Sequence, residues 1–311
     1  MHGPDRSAPV AGDAVGSAEF VELLELLDLE LLDPDGLTDD PRRFRGRSPR
    51  GRTRSVFGGQ FVAQSLVAAG RTVPEGRVPH SLHAYFLRAG DPLVPIDYAV
   101  ETIRDGRSYH HRQVVASQDG REVFRLLAGF TVDRPGPRYQ PPLPGPPPDG
   151  TDPAGHPGYV RWTMASSTVD EHPWEHEPTP LEITFEDAPA PVAGEPVFGV
   201  QRMWLRLQGT VPSDDPVLHA ALLAWMSDKT LADLAILAHG SRWVDDGVVS
   251  LSLDHSMWFL EPVRADGWIR FDQQVDHTAG GRGLVRGSFV TPDGRQVAVA
   301  TQEATVGLPD D

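Results

Sequence analysis

Cysteine is absent from this chain of 311 residues. That removes disulfides, thiolate metal sites and a cysteine nucleophile together. Lysine is almost absent too. Lys229 stands alone and every other basic side chain except histidine is arginine. Schiff-base catalysis therefore has a single candidate. A Gly-x-x-x-x-Gly-Lys phosphate loop has none, because Lys229 follows Asp228. No apolar run reaches the roughly 18–20 residues that a membrane span needs. Positive charge is scarce overall: the net charge of −16 argues against a nucleic-acid partner. Residues 1–18 are small and polar, with no basic-then-apolar signal pattern, and read as a disordered tail. A cytoplasmic protein without a membrane span is the default. The hydrophobic content of 39% suffices for a large core.

What the chain does have is an internal repeat. Asp119-Gly120-Arg121-Glu122-Val123 returns as Asp293-Gly294-Arg295-Gln296-Val297. Upstream, His80-Ser81-Leu82 matches His255-Ser256-Met257. His80 precedes Asp119 by 39 positions and His255 precedes Asp293 by 38. Two markers at near-equal spacing imply a duplicated unit.

The texture along each half agrees. Glu19–Leu32 has helical periodicity. Phe57-Gly58-Gly59-Gln60 opens an apolar helix, after a basic run through Arg42, Arg43, Arg45, Arg47, Arg50, Arg52 and Arg54. Strands are expected at 81–88, 96–104, 108–118 and 122–132, punctuated by Gly and Asp turns. The stretch 135–158, rich in proline and glycine, reads as a linker. Beyond it, strands at 181–185 and 200–207 precede a long apolar helix over Val217–His239, with Gly240 as its C-cap. Strands then follow at 249–259, 268–275, 283–291 and 296–306. Each half is thus a helix followed by a strand meander, an α+β pattern. A helix this apolar must be buried on most sides. One antiparallel sheet wrapped around a central helix, the hotdog arrangement, satisfies that. The expected organisation is a double hotdog, with copies at 19–134 and 159–311 joined by the linker.

Several common sites are missing. There is no Gly-x-Ser-x-Gly elbow. Gly281-Arg282-Gly283 lacks the third glycine of a dinucleotide fingerprint and precedes a strand. His172 and His176 are four apart, but Pro173 argues against helical metal ligation. No metal and no cofactor are expected. Asp228 stands out, because it lies within a segment expected to be core. From that segment alone, capping and catalysis are equally admissible. Aligning the two helices by their apolar pattern sets Asp228 near Gly59, and the repeat offsets set Gln302 against Ala128 and Ser252 against Arg77. Three polar groups in the second half thus face Gly, Ala and Arg in the first.

Taken together, Val56-Phe57-Gly58-Gly59-Gln60, His80–Asp91, Met226-Ser227-Asp228, Leu253–Phe259 and Thr301-Gln302-Glu303 resemble the acyl-CoA thioesterase II, or TesB-type, family. The resemblance implies a double-hotdog hydrolase of acyl-CoA thioesters. It puts the family's catalytic carboxylate on Asp228, its glutamine on Gln302 and its hydroxyl on Ser252, where threonine is usual. The family's Trp-Phe-His-Arg-Pro reads Trp258-Phe259-Leu260-Glu261-Pro262 here, so that His-Arg pair is missing. Water activated by Asp228 and held by Ser252 and Gln302 would attack the thioester. Gly59 is expected to offer an oxyanion N–H. Arg282, Arg286 and the Arg42–Arg54 run are candidates for the coenzyme phosphates, and Phe57, Phe61 and Trp258 for the acyl channel. A hotdog hydratase is disfavoured because no histidine follows Asp228 until His239. A non-catalytic acyl-CoA binder is disfavoured by the three retained polar positions. Homo-oligomerisation is expected.

Overall fold

A computed structural model describes residues 14–32, 41–49, 55–143, 152–155, 160–162, 179–186, 196, 199–241 and 247–308. His172, His176, Arg50, Arg52 and Arg54 lie outside them. The first half holds β1 (Val15–Gly16), α1 (Ala18–Leu27), β2 (Glu30–Leu31), β3 (Arg42–Gly46), α2 (Gly58–Gly70), β4 (Arg77–Phe86), β5 (Ile96–Asp105), β6 (Tyr109–Gln118) and β7 (Arg121–Val132). The second holds β8 (Val160–Trp162), β9 (Leu181–Phe185), β10 (Gln201–Leu207), β11 (Gly209–Thr210), α3 (Pro216–Ser227), α4 (Asp233–Leu237), β12 (Asp254–Phe259), β13 (Ile269–Ala279), β14 (Arg282–Val290) and β15 (Gln296–Thr305).

Every residue of α2 from Gly59 to Gly70 is buried, Gln60 and Gln64 included, which hydrogen-bond to Arg47 O, Leu26 O and Tyr98. The companion α3 starts on Pro216, with the Asp215 side chain accepting from Val217 N–H at 3.1 Å. The helices run antiparallel. Gly59 at the start of α2 lies against Trp225 near the end of α3, and Gly70 at the end of α2 lies against Val217. A Cβ on Gly70 would come within 2.4 Å of a Val217 methyl, so the glycine permits the close approach.

Around the pair runs one 13-stranded sheet in the order β2-β3-β5-β6-β7-β4-β12-β15-β14-β13-β10-β9-β8. The halves join where β4 pairs antiparallel with β12. On either side of that seam the order repeats: β4-β7-β6-β5-β3 matches β12-β15-β14-β13-β10. Both copies also bulge just after the repeated turn, where Val123 and Val297 are skipped in the ladder. The turns themselves differ. Asp119 and Gly120 both take positive φ (49° and 73°), whereas in the second copy only Gly294 does (84°).

Sheet register corrects the repeat alignment. The turn offset equates Leu127 with Thr301, and these face His83 and Ser256 respectively. His83 and Ser256 are therefore equivalents. They are also each other's partners across the seam, with His83 Nδ1 3.0 Å from Ser256 Oγ. A pseudo-twofold axis passes between them. His255 is thus matched by Leu82, not His80. Ser252, which bridges Ala304, is matched by Pro79, which faces Phe130, and not by Arg77. Gln302 remains matched by Ala128.

Other expectations shift as well. The helix expected over Val217–His239 breaks after Ser227, whose hydroxyl bonds back to Ala224 O at 2.8 Å, and resumes as the short α4. Gly240 does take a left-handed φ (74°), but two residues past the α4 cap, Ala238. The first helix stops at Leu27. From Val249 to Leu253 there are isolated bridges rather than a strand. The expected tail is tied down at its end: Val15 and Gly16 pair with Thr210 and Gly209, and Ser17 caps α1 by accepting from Phe20 N–H.

Candidate active site

Three elements converge at the break between α3 and α4. Asp228 is the C-cap of α3. Ser252 sits in the segment before β12, and Gln302 points inward from β15. The Gln302 amide nitrogen donates to Asp228 Oδ1 and to Ser252 Oγ, both at 2.7 Å. Both of its hydrogens are thereby used. Gln302 Oε1 is buried with no protein partner.

The capping alternative for Asp228 resolves unexpectedly. Asp228 ends α3, so its charge opposes the negative pole of its own helix. It accepts instead the backbone N–H of Gly59, in the first turn of α2. The N-cap of α2, Phe57, offers no side-chain bond, so Asp228 serves that helix from across the pair. Gly59 is therefore a neighbour of Asp228 and not its repeat counterpart. Its N–H is given to the carboxylate in this structure. Space is tight: a Cβ on Gly58 would lie 2.5 Å from Asp228 Oδ2 and 2.9 Å from the Phe86 ring.

The Asp228 side chain is only 4% exposed. Burial lifts its pKa from 3.8 to about 7, against the pull of the Gln302 and Gly59 hydrogen bonds and of Lys229. A carboxyl near neutrality can exchange a proton at physiological pH. His255 completes the surroundings. Its ring is fully buried, and burial lowers its pKa from 6.5 to about 4. Its Nε2 is 2.9 Å from Ser227 Oγ, and its Nδ1 is 3.9 Å from Asp228 Oδ1. In the sequence His255 served as a repeat marker and as part of the Leu253–Phe259 motif, with no role of its own. The signal that could have found it was its place beside Asp254 at an inward strand position.

Other expected residues divide. Phe57 is at the site, edge-on to Trp225 with ring centroids 5.3 Å apart. Phe61 stacks on Phe124 in the core. Trp258 is on the outer face of the sheet, against His83. Arg282 and Arg286 are exposed on that same face, paired with Glu303 at 2.9 Å and Asp276 at 3.0 Å. Strand alternation explains the separation. Val285 and Gln302 face each other inward, so Arg286 and Thr301 beside them face out. The structure does not bring Trp258, Arg282 or Arg286 to Asp228. In the basic run, Arg45 pairs with Asp97 and Arg47 with Glu25. Among the described residues no His/Cys/Asp/Glu group suits a metal ion, and no helix is long and apolar enough to cross a membrane.

The duplicated hotdog defines a class of protein with known members. Residues 169–305 match the family model described as acyl-CoA thioesterase, and residues 47–131 match the acyl-CoA thioesterase N-terminal domain. Human acyl-coenzyme A thioesterase 8 is 34% identical over 308 residues, covering 95% of this chain and 92% of that protein. Acyl-CoA thioesterase 2 of Haemophilus influenzae is 33% identical, covering 91% of this chain and 96% of that one. The crystal structure of acyl-CoA thioesterase II TesB2 from Mycobacterium marinum superposes with a TM-score of 0.70 at 34% identity, covering 93% and 98%. The chain belongs to the acyl-CoA thioesterase family, of the TesB type.

Proposed function

We propose that this enzyme hydrolyses acyl-CoA thioesters by direct attack of water, with Asp228 as general base. The single observation behind this reading is the buried carboxyl near neutrality, held by Gln302 and Gly59. Gln302 holds Asp228 and Ser252 with its amide hydrogens and leaves Oε1 to accept from the water. Ser252 Oγ, already an acceptor from Gln302, directs its own proton to the water or the thioester. The water proton passes to Asp228 while the hydroxide adds to the thioester carbon. Collapse expels the coenzyme thiolate, which takes the proton from Asp228. The positive pole of α2, beginning at Gly58, faces the developing oxyanion. Phe57, Phe86 and Trp225 supply apolar walls beside the carboxyl. The Arg42–Arg54 run leads into α2 and is the remaining basic candidate for the coenzyme phosphates.

Thiol release from acyl-CoA is the test. The Asp228→Asn protein should fold and lose about 10²–10⁴ in kcat, the range of a positioned general base. Full activity in that protein would remove Asp228 from the mechanism.

A further inference from the structure

The end of the helix pair opposite Asp228 holds a cleft that the reaction above leaves unused. Its volume is about 540 Å³, inside the range of about 300–1,000 Å³ of small-molecule sites. Sheet register identifies it. At the turn offset, Phe124 and Phe130 match Ala298 and Ala304. Of the lining residues, Phe259 pairs with Ala298 as Phe86 pairs with Phe124, and Pro79 faces Phe130 as Ser252 bridges Ala304. Pro216, also in the lining, opens α3 as Gly58 opens α2. Phe86, Ser252 and Gly58 all belong to the surroundings of Asp228. The helices agree: Gly70 lies against Val217 as Asp228 meets Gly59, so Gly70 takes the place of Asp228. The cleft is therefore the pseudo-twofold image of the Asp228 site. Gly70, Ala128 and Pro79 stand there for Asp228, Gln302 and Ser252, so the groups that the route above requires are missing.

The walls of the cleft are tied in place and largely apolar. Val78, Pro216, Ala220, Leu223, Phe259 and Leu260 line it. His219, only 4% exposed, holds the loops beside α3: the Ala265 N–H donates to Nδ1 at 3.1 Å, and Nε2 is 2.9 Å from Ser213 O. Arg264 ties the same loops through Val211 O at 2.8 Å and Asp266 at 2.7 Å. The charges in the lining cancel. Arg264 pairs with Asp214 and Asp266, Glu261 with Arg295, and Asp133 adjoins Arg134. Leu260 is 50% exposed, so an apolar ligand in the cleft would take leucine surface out of water. Leu260 and Glu261 are also the pair at which the sequence departs from its family's Trp-Phe-His-Arg-Pro.

We propose that this cleft binds an acyl chain without hydrolysing it, as a second acyl site in each chain. One frame shapes both ends for the same kind of group, and only the end with Asp228 attacks it. A lining without net charge selects the chain and not the head group, so the ligand is a fatty acid or the acyl part of an acyl-CoA. This inference rests on the Asp228 end being the one that receives the reacting acyl group.

Calorimetric titration of the whole enzyme with the thioether S-decyl-CoA, which has no carbonyl to attack, should give two equivalents per chain. Decanoate as a second probe separates the sources: occupation of the cleft by decanoate assigns it to the free acid, and occupation by the thioether alone assigns it to acyl-CoA. Val78→Trp fills the cleft from β4, and Leu260→Asp puts a charge in its wall. Each side chain is partly exposed, and each variant should weaken the second equivalent at least about tenfold while the first remains. In the native enzyme, S-decyl-CoA carrying a diazirine at the chain end should label residues 259–263 as well as the surroundings of Trp225, a measurement that needs no variant to fold. One equivalent per chain, a second equivalent that survives both substitutions, or label confined to the Asp228 end overturns the proposal. If Asp228→Asn is inactive and only one equivalent binds, the second site alone fails. If Asp228→Asn is active while both ends are labelled, the base assignment alone fails.

Discussion

The two ends of the helix pair are built on one frame and furnished differently. At one end, α3 finishes on Asp228, facing Ser252, Gln302 and His255. At the other, α2 finishes on Arg71, and the register-equivalent positions hold Pro79, Ala128 and Leu82. Pro79 lines a cleft of about 540 Å³ together with Thr131, Pro216 and His219. Arg71 suits the negative pole of its helix and is tied to Asp28 and the Leu29 carbonyl. Asp228 sits against its own pole and is held by donors borrowed from α2 and β15. Leu82 and Ala128 pack as ordinary core, while His255 and Gln302 each keep a buried atom unpaired. At these register-equivalent positions one frame thus carries polar side chains at one end and apolar ones at the other.

That contrast can be broken most sharply by exchanging residues at each end. Asp228→Asn should cost the 10²–10⁴ in kcat set out above, whereas Pro79→Ser at the opposite end should leave kcat within about twofold, since it touches no reacting group. Comparable effects in thiol-release assays of both would end the claim of a single working site. Glycine provides a subtler contrast. Gly58→Ala drives a Cβ to 2.5 Å from Asp228 Oδ2, and Gly70→Ala drives one to 2.4 Å from Val217 Cγ1. Each should destabilise by about 1–3 kcal/mol in denaturant unfolding, but only Gly58→Ala should also lower kcat by tenfold or more.

A third contrast uses pH. The folded pKa of Asp228 is raised, so the folded state binds its proton more tightly than the unfolded chain. The native protein loses stability on this account as pH climbs from about 4 to about 7, by at most a few kcal/mol. His255, whose folded pKa is lowered, acts oppositely: stability is lost as pH falls from 6.5 towards about 4. Asp228→Asn should therefore raise Tm by several degrees above pH 7, with the advantage gone near pH 4. A Tm difference independent of pH would contradict the buried-carboxyl account. The smallest effect is expected at Ser252. Ser252→Thr adds a methyl that stiffens χ1 and should change kcat by no more than about threefold.

Much of this was legible in the sequence, for identifiable reasons. Strands from Ile96 to Val132 and from Ile269 to Thr305 alternate with period two between strong turn residues, so local chemistry fixes them. Asp228, Ser252 and Gln302 were expected as a set because family motifs quote them in order, and the three lie together here. That Arg282, Arg286 and Trp258 lie on the outer face, away from Asp228, could not be read, because identity says nothing about which face of a strand points inward. The repeat misled by two positions at His80 and His255. A slip of two preserves side-chain alternation, so periodicity could not detect it. The break at Ser227 falls where Ser227-Asp228-Lys229-Thr230 interrupts the apolar run, a polar stretch too short to separate two helices from one by pattern alone. His255 was given no place at the site because its burial beside Asp228 and Ser227 arises only when β12 packs against the α3 end.

The Gly59 N–H bond to Asp228 has a dynamic consequence for the proposed reaction. While Asp228 is anionic, it occupies the positive pole of α2. Once it accepts the proton from water, that pole loses its counter-ion, in the same step that puts negative charge on the thioester oxygen nearby. The helix end is handed from one anion to the next, so the net charge of the pocket stays constant through the hardest step. A base placed anywhere else on α3 would remove the proton equally well and leave the new oxyanion without a vacated partner.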